Sequence, residues 1–205
     1  MEVRSMPEYK DVAFFGPMGV GKTTCANLLE IGGRYARLSF ADGVKDDVVD
    51  MLNFIIDHTA HTTDIHKELS ANPALIRNSG SFALNRTTIE NFKDQVFRPL
   101  LQWYGTDFWR QFMGVPDYWL KRFESRIDGT TAPVVVDDCR FPNEADLLRD
   151  RGFIIIKLNR DDKANPGSNH VSESAMDNYH ADVYMDLTGK NLYEVYTELM
   201  QYVLV

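Results

Sequence analysis

The octapeptide Gly16-Pro17-Met18-Gly19-Val20-Gly21-Lys22-Thr23 fits G-x-x-x-x-G-K-[ST] at every fixed position and constrains this chain more than any other feature. Before it stands Val12-Ala13-Phe14-Phe15, a short unbroken apolar run of the kind that forms a strand buried on both faces. After it, Lys22 to Glu30 follows a helical pattern that stops at Gly32-Gly33. Strand, glycine turn and helix in that order build an anion cradle. Glycines let backbone N–H groups turn inward without Cβ clashes, and the helix points its positive end at the same place. Lys22 can reach the outer phosphates of a nucleotide and the Thr23 hydroxyl can ligate Mg²⁺. Gly16, Gly19, Val20, Gly21, Lys22, Thr23 and Thr24 are therefore the candidates for holding ATP, with Lys22 also catalytic.

Further along, Arg37 to Phe40 reads as a second strand, and Val44 to Ile56 places apolar residues at helical spacing. Residues 57–130 hold no convincing strand; candidate helices fall at 64–70, 88–104, 106–113 and 116–128, the last with Pro116 in its first turn, and 71–87 is a loop. Strands return at Pro133 to Asp137, Phe153 to Leu158 and Tyr184 to Leu187. Helices are expected at Asn143 to Arg151, Ser172 to Asn178 and Leu192 to Leu204. Strands alternating with helices imply an α/β fold with a mostly parallel sheet covered on both faces. The 205 residues, 44% apolar and 25% charged, suit one domain, with the helical middle inserted between the second and third strands at about 45–130.

The net charge of −8 (22 Lys and Arg against 30 Asp and Glu) argues against nucleic acid as a standing partner. Two cysteines, Cys25 and Cys139, cannot frame a disulfide-built fold and fit a reducing cytoplasm. The start is polar and unlike a signal peptide, and no apolar run is long enough to cross a bilayer. His58, His61 and His66 lack a completing cysteine or acid at metal-site spacing.

Three other clusters carry chemistry. Val134-Val135-Val136-Asp137-Asp138 is an apolar strand closed by acids, and beside a phosphate cradle such an acid holds Mg²⁺; Asp137 and Asp138 both fit. Cys139-Arg140-Phe141-Pro142-Asn143-Glu144 follows. Arg140 either stands at the sheet's carboxyl edge, where it can grip a phosphate with both guanidinium arms, or pairs with Glu144 on a surface helix. In Trp103-Tyr104-Gly105-Thr106-Asp107-Phe108-Trp109-Arg110, aromatics beside Arg110 suit a base and its phosphate, although each tryptophan equally suits a core. Asp42 reads as a sugar or metal-water contact or as a helix cap, and Lys45 as a phosphate contact or a solvated charge.

Taken together these pieces resemble the phage-type deoxynucleoside monophosphate kinases of the P-loop kinase superfamily. The matching segments are the loop at 16–23, Ser39-Phe40-Ala41-Asp42-Gly43-Val44-Lys45, Tyr104 to Arg110, Asp137 to Glu144 and His170-Val171-Ser172-Glu173, in family order. The loop is specific only to the superfamily; the D-x-R-F-P-N-E and H-x-S-E segments suggest the family. The resemblance implies a three-layer sandwich with strand order 2-3-1-4-5 and phosphoryl transfer from ATP to a deoxynucleoside 5′-monophosphate with Mg²⁺, for DNA precursor synthesis. It also implies substrate-side roles for Asp42, Lys45, Trp103, Arg110, Arg140 and Glu144, and lid-hinge or substrate-side roles for His170 and Glu173. A loop at about 160–172 has the position of a closing lid, with Arg160 and Lys163 able to reach the transferred phosphate. A homodimer is compatible with the resemblance and with the aromatic middle.

Two other functions fit the same loop. In one, the acceptor is the hydroxyl of a nucleoside or coenzyme precursor and Asp42 is its base. In the other, the chain is a non-enzymatic ATP-binding module whose partner docks on the aromatic middle; the intact Lys22, Thr23 and acidic strand end argue against it.

Overall fold

The computed structural model describes residues 8–59, 84–161 and 175–205. They fall into two compact units, Met1–Phe40 with Leu120–Val205, and Ala41–Trp119. The first is built on five strands: β1 (Val12–Phe15), β2 (Ala36–Leu38), β3 (Val134–Val136), β4 (Ile154–Asn159) and β5 (Val183–Asp186). All pair in parallel, in the order β2-β3-β1-β4-β5. This is the α/β sandwich and the strand order that the resemblance implied.

β1 sits at the centre and is buried along its whole length, which explains its unbroken apolar run. Val12 and Phe14 face one layer, where α1 (Lys22–Glu30) and α7 (Leu192–Val203) supply Ala26, Leu29, Leu199 and Val203. Ala13 and Phe15 face the other, against Ala145 and Leu148 of α6 (Pro142–Asp150) and Phe123 of α5 (Tyr118–Asp128). Each fully buried Phe contributes about 1.5–3 kcal/mol relative to an exposed one, so the two faces of β1 anchor both layers.

The strand limits differ from expectation where a side chain replaces the ladder. β2 was expected to run through Phe40 but ends at Leu38. Beyond it, Ser39 Oγ donates to Asp138 Oδ2 (2.6 Å) and Phe40 N to Asp138 Oδ1 (3.1 Å). β3 starts at Val134, whose N–H donates to Asp11 Oδ1 at 2.6 Å.

The second unit begins with α2 (Ala41–Thr59), three residues earlier than the apolar spacing suggested, so that Asp42 lies in its first turn. α3 (Arg86–Asn91) is capped by Asn85, whose side chain accepts from Thr88 N. Expected helices at 88–104 and 106–113 are instead α3, a π-helical turn over Lys93–Phe97, α4 (Arg98–Gln102) and a π-helix over Trp103–Phe112. Gly105 belongs to that π-helix and does not break it; its carbonyl accepts from Trp119 Nε1 at 2.8 Å. Val48, Ile89 and Phe97 form this unit's core with Leu84. α5 starts at Tyr118, which leaves Pro116 outside the helix. No helix of the described residues is long and apolar enough to cross a membrane.

Candidate active site

The phosphate loop joins β1 to α1, and Gly16, Gly19 and Gly21 all take the positive φ that favours glycine; at two of them a side chain would also meet neighbouring atoms. Gly16 has φ 142°, and a Cβ there would lie 2.5 Å from the Leu158 carbonyl oxygen of β4. Gly21, the residue capping α1, has φ 119°, and a Cβ would meet the Leu187 side chain at 3.0 Å. Among the described residues no side chain caps α1 and no acid sits in its first turn. Its first N–H groups and its positive end are therefore left for an anion. The side chain of Val20 is buried in the core, so only its backbone faces the loop. Lys22 Nζ donates to Gly16 O (2.6 Å) and Pro17 O (2.8 Å), which draws the ammonium back across the loop. Thr24 follows on the exposed side of α1.

The two acids after β3 have separate partners. Thr23 Oγ1 donates to Asp137 Oδ2 at 2.8 Å. Asp138 is tied to Ser39 and Phe40 and so joins the ends of β2 and β3. With its proton on Asp137, the Thr23 hydroxyl keeps lone pairs for a cation, and a hydroxyl beside a carboxylate is the hard oxygen set that Mg²⁺ takes. Asp137 has a second partner that the sequence reading missed. Arg37 of β2 grips both its oxygens, Nε to Oδ1 at 3.1 Å and Nη2 to Oδ2. The sequence signal was an arginine inside a short strand placed before two acids.

A cleft beside the loop is lined by Lys22, Arg140, Lys157 and Asn159, with Phe15 and Cys139 at its apolar wall. Arg140 is held there through its backbone: Glu144 is buried, and its Oε2 accepts from Arg140 N (2.8 Å) and Phe141 N (3.2 Å). Through these two bonds Glu144 caps the start of α6 and fixes the backbone that carries Arg140. Lys157 was also missed. Its ammonium donates to Asp177 O (3.1 Å) and lies 5.6 Å from the Phe15 ring centre. A lone lysine in the run Phe153-Ile154-Ile155-Ile156-Lys157-Leu158 was its signal. Burial pushes the Cys139 thiol well above its ordinary value, with the nearby acids Glu144 and Asp138 adding to the rise, so it stays an inert thiol at neutral pH.

Arg160 follows β4 directly. Its Nη2 donates to Leu187 O (3.3 Å), and Nη1 would lie 4.0 Å from a Cβ at Gly21. The guanidinium is thus anchored beside the phosphate loop itself. Lys163, His170 and Glu173 lie outside the described residues, as do His61 and His66.

Asp42, Lys45, Trp103 and Arg110 belong to the second unit. Lys45 is buried, not solvated, and pairs with Glu90 and, at 3.5 Å, with Asp42. Arg86 reaches Asp46 Oδ1 (2.5 Å) and Asp42 Oδ1 (3.6 Å). Arg86 and Glu90 complete a charge network that the sequence reading did not contain. On the π-helix, Trp103 is 47% exposed, whereas Trp119 is 2% exposed and belongs to the core. Trp109 stacks on Tyr118, with ring centres 3.7 Å apart and planes 4° from parallel. Arg110 lies in the last turn of this helix.

A curated relative from Acanthamoeba polyphaga mimivirus, described as "Putative deoxynucleotide monophosphate kinase", is 24% identical over 200 residues, covering 92% of this chain and 93% of that protein. Similar solved structures include a gluconokinase from Sinorhizobium meliloti 1021 (14% identity, TM-score 0.43, 94% of this chain and 90% of that one). A dephospho-CoA kinase from Campylobacter jejuni is another (14% identity, TM-score 0.38, 92% and 95%). The family model for deoxynucleotide monophosphate kinases matches residues 32–196. That span begins after the phosphate loop, so the match is independent of the motif that the whole superfamily shares. The chain is a kinase and belongs to the deoxynucleotide monophosphate kinase family.

Proposed function

We propose that this chain transfers the γ-phosphoryl group of ATP to the 5′-phosphate of a deoxynucleoside monophosphate, giving two diphosphates, and so serves DNA precursor synthesis. The observation that carries the reading is the convergence of Lys22, Arg140 and Lys157 on one cleft beside the phosphate loop. Three cations in a cleft of this kind suit two phosphates brought together, whose repulsion is the main obstacle to the reaction.

An acceptor phosphate oxygen, ionised at neutral pH, attacks the γ-phosphorus while the bond from that phosphorus to the β,γ-bridging oxygen breaks. ADP leaves with the bond's electrons, and no strong base is needed. Lys22 and the N–H groups of Gly19, Gly21, Thr23 and Thr24 neutralise and position the donor phosphates, while the Val20 N–H, donating to Pro17 O at 3.3 Å, holds the turn of the loop. Thr23 and Asp137 would hold Mg²⁺, which supplies charge neutralisation across the donor phosphates. Arg140 and Lys157 hold the acceptor phosphate, with Glu144 fixing the backbone that carries Arg140. Arg160 steadies the donor beside Gly21. On the resemblance of their motifs, Asp42, Lys45, Trp103, Arg110, His170 and Glu173 are assigned to recognition of the acceptor.

The test is ADP release from ATP and Mg²⁺ with each deoxynucleoside and ribonucleoside 5′-monophosphate in turn. Release stimulated by one or more deoxynucleotides is expected, falling at least about 10²-fold in Lys22→Ala and Arg140→Ala. Release stimulated instead by a nucleoside or coenzyme precursor, and abolished in Asp42→Asn with ATP binding intact, would replace the monophosphate reading with a hydroxyl kinase. ATP binding with no acceptor-dependent release at all would leave only a nucleotide-binding module.

A further inference from the structure

The Arg37 guanidinium is enclosed by oxygens from α1 and from the end of β3. Asp137 Oδ1 and Oδ2 accept from Nε and Nη2. Asn27 Oδ1, on α1, accepts from Nη1 at 2.8 Å, and Glu30 Oε2, one turn further along α1, stands 3.5 Å from the same nitrogen. Asp137 Oδ2 also accepts from Thr23 Oγ1 at 2.8 Å. The Asp137 side chain is 9% exposed, so water screens this pairing little. Two carboxylates, an amide oxygen and, through Asp137, a hydroxyl thus converge on a single positive charge.

We propose that Arg37 is a positioning residue for the Thr23–Asp137 pair, and that its charge keeps this pair from taking a divalent cation until a nucleotide brings one. The bidentate grip fixes the plane of the Asp137 carboxylate, which in turn fixes the hydrogen bond from Thr23. The same grip neutralises Asp137. A divalent ion arriving alone meets a carboxylate already paired and a like charge beside it. A triphosphate supplies the negative charge and the oxygens that tip the balance. Without the guanidinium, Asp137, Glu30 and Asn27 would face one another as hard oxygen donors of the kind that hold Mg²⁺ or Mn²⁺ directly. The inference rests on the reading of Thr23 and Asp137 as the metal-holding pair.

The probe is Mn²⁺ titrated into the nucleotide-free protein, with free ion read from its solution EPR signal. Wild type, Arg37→Ala and Arg37→Lys are compared, with circular dichroism and melting as the check on folding. The expected result is at least about tenfold tighter Mn²⁺ binding in Arg37→Ala than in wild type, with Arg37→Lys returned to wild-type behaviour. A purely structural role would lower the melting temperature and leave Mn²⁺ binding unchanged. Equal Mn²⁺ affinity in Arg37→Ala and wild type, whether weak or tight, would overturn the proposal. If Arg37→Ala does not fold, Arg37→Gln, which removes the charge and keeps hydrogen-bonding capacity, is read by the same criterion. Binding of a fluorescent ATP analogue to wild type with Mg²⁺ is measured separately. Its failure would remove the kinase reading, while the nucleotide-free comparison would still decide the role of Arg37.

Discussion

Each unit of this chain holds an aspartate with an arginine, and the two are built differently. Arg37 lies on β2 in register with Val135 of β3, two residues before the Asp137 that it grips. The backbone ladder therefore sets the distance between them, and the Asp137 side chain is 9% exposed. In the second unit Arg86, at the start of α3, reaches Asp46 and Asp42, which are one turn apart on α2. There the arginine is 40% exposed, and rotamers rather than a sheet set the geometry. A pair fixed by strand register cannot adjust to a change nearby. A pair fixed by long side chains on helices can, and it is worth correspondingly less.

Two glycines put that difference to the test, and the first carries the largest stability effect expected here. In Gly16→Ala the new methyl would meet the Leu158 carbonyl at 2.5 Å with φ at 142°. Neither β1 nor β4 can move aside, because they pair along the whole of β1. A loss of about 3 kcal/mol or more is expected in denaturant unfolding, together with loss of ATP binding. In Gly105→Ala the methyl would meet Val44 methyl carbons at 3.2 and 3.3 Å, with no positive φ. A side chain on a helix can yield by tenths of an ångström, and alanine also favours a helical backbone, so the change should stay within about 1 kcal/mol. Equal losses at the two sites would mean that the second unit is as unyielding as the sheet.

Lys157 comes next in size. It stands on β4, paired in register with Phe15, so its reach into the cleft is set by the same ladder. Lys157→Met keeps the stem against Phe15 and removes the charge. The expected outcome is a KM for the acceptor raised about tenfold with affinity for ATP unchanged, and Lys157→Arg recovering most of the loss. A fall in ATP affinity with the acceptor KM unmoved would place Lys157 on the donor side.

Parts of this arrangement were legible in the sequence because their signals are local. The run Val12–Phe15 and the helix Lys22–Glu30 have the limits that the apolar run and the flanking glycines dictate. The three-valine strand ending in acids was equally plain. Arg37 and Lys157 were not, since what matters about each is the strand it lies beside, and register across a parallel sheet leaves no trace in local spacing. The choice between Asp137 and Asp138 failed for the same reason: the partners that separate them, Thr23 and Ser39, lie about a hundred residues away. In the second unit, apolar spacing found helical segments but not their winding. The carbonyl of Gly105 is engaged by Trp119, 14 residues on, and that contact is tertiary. Glu144 shows a further limit: its burial and its bonds to the backbone of Arg140 and Phe141 exist only once the turn before α6 is folded, and the D-x-R-F-P-N-E match carries no sign of them.

The smallest effect concerns the charge network on the helices. Burial alone would raise the Glu90 carboxyl, but the Lys45 hydrogen bond and charge, aided by Lys93 and Arg86, outweigh it and hold Glu90 below its ordinary value of 4.5. A carboxylate depressed in the folded state adds stability above its unfolded pKa and loses it as the pH falls through the folded value. Glu90 is 42% exposed, so solvent screens the pair and the contribution is modest; the buried Lys45 keeps Asp42 as a second partner. Glu90→Gln should therefore be less stable than wild type by about 0.5–1 kcal/mol at pH 7. That gap should narrow once the pH drops below 4.5 and close at the acid end, where wild-type Glu90 is also neutral. Denaturant unfolding of both proteins from pH 7 to pH 3 reads the gap directly. A gap that stays constant with pH would assign the loss to altered packing, and the ion pair of the helical unit would then contribute nothing through its charge.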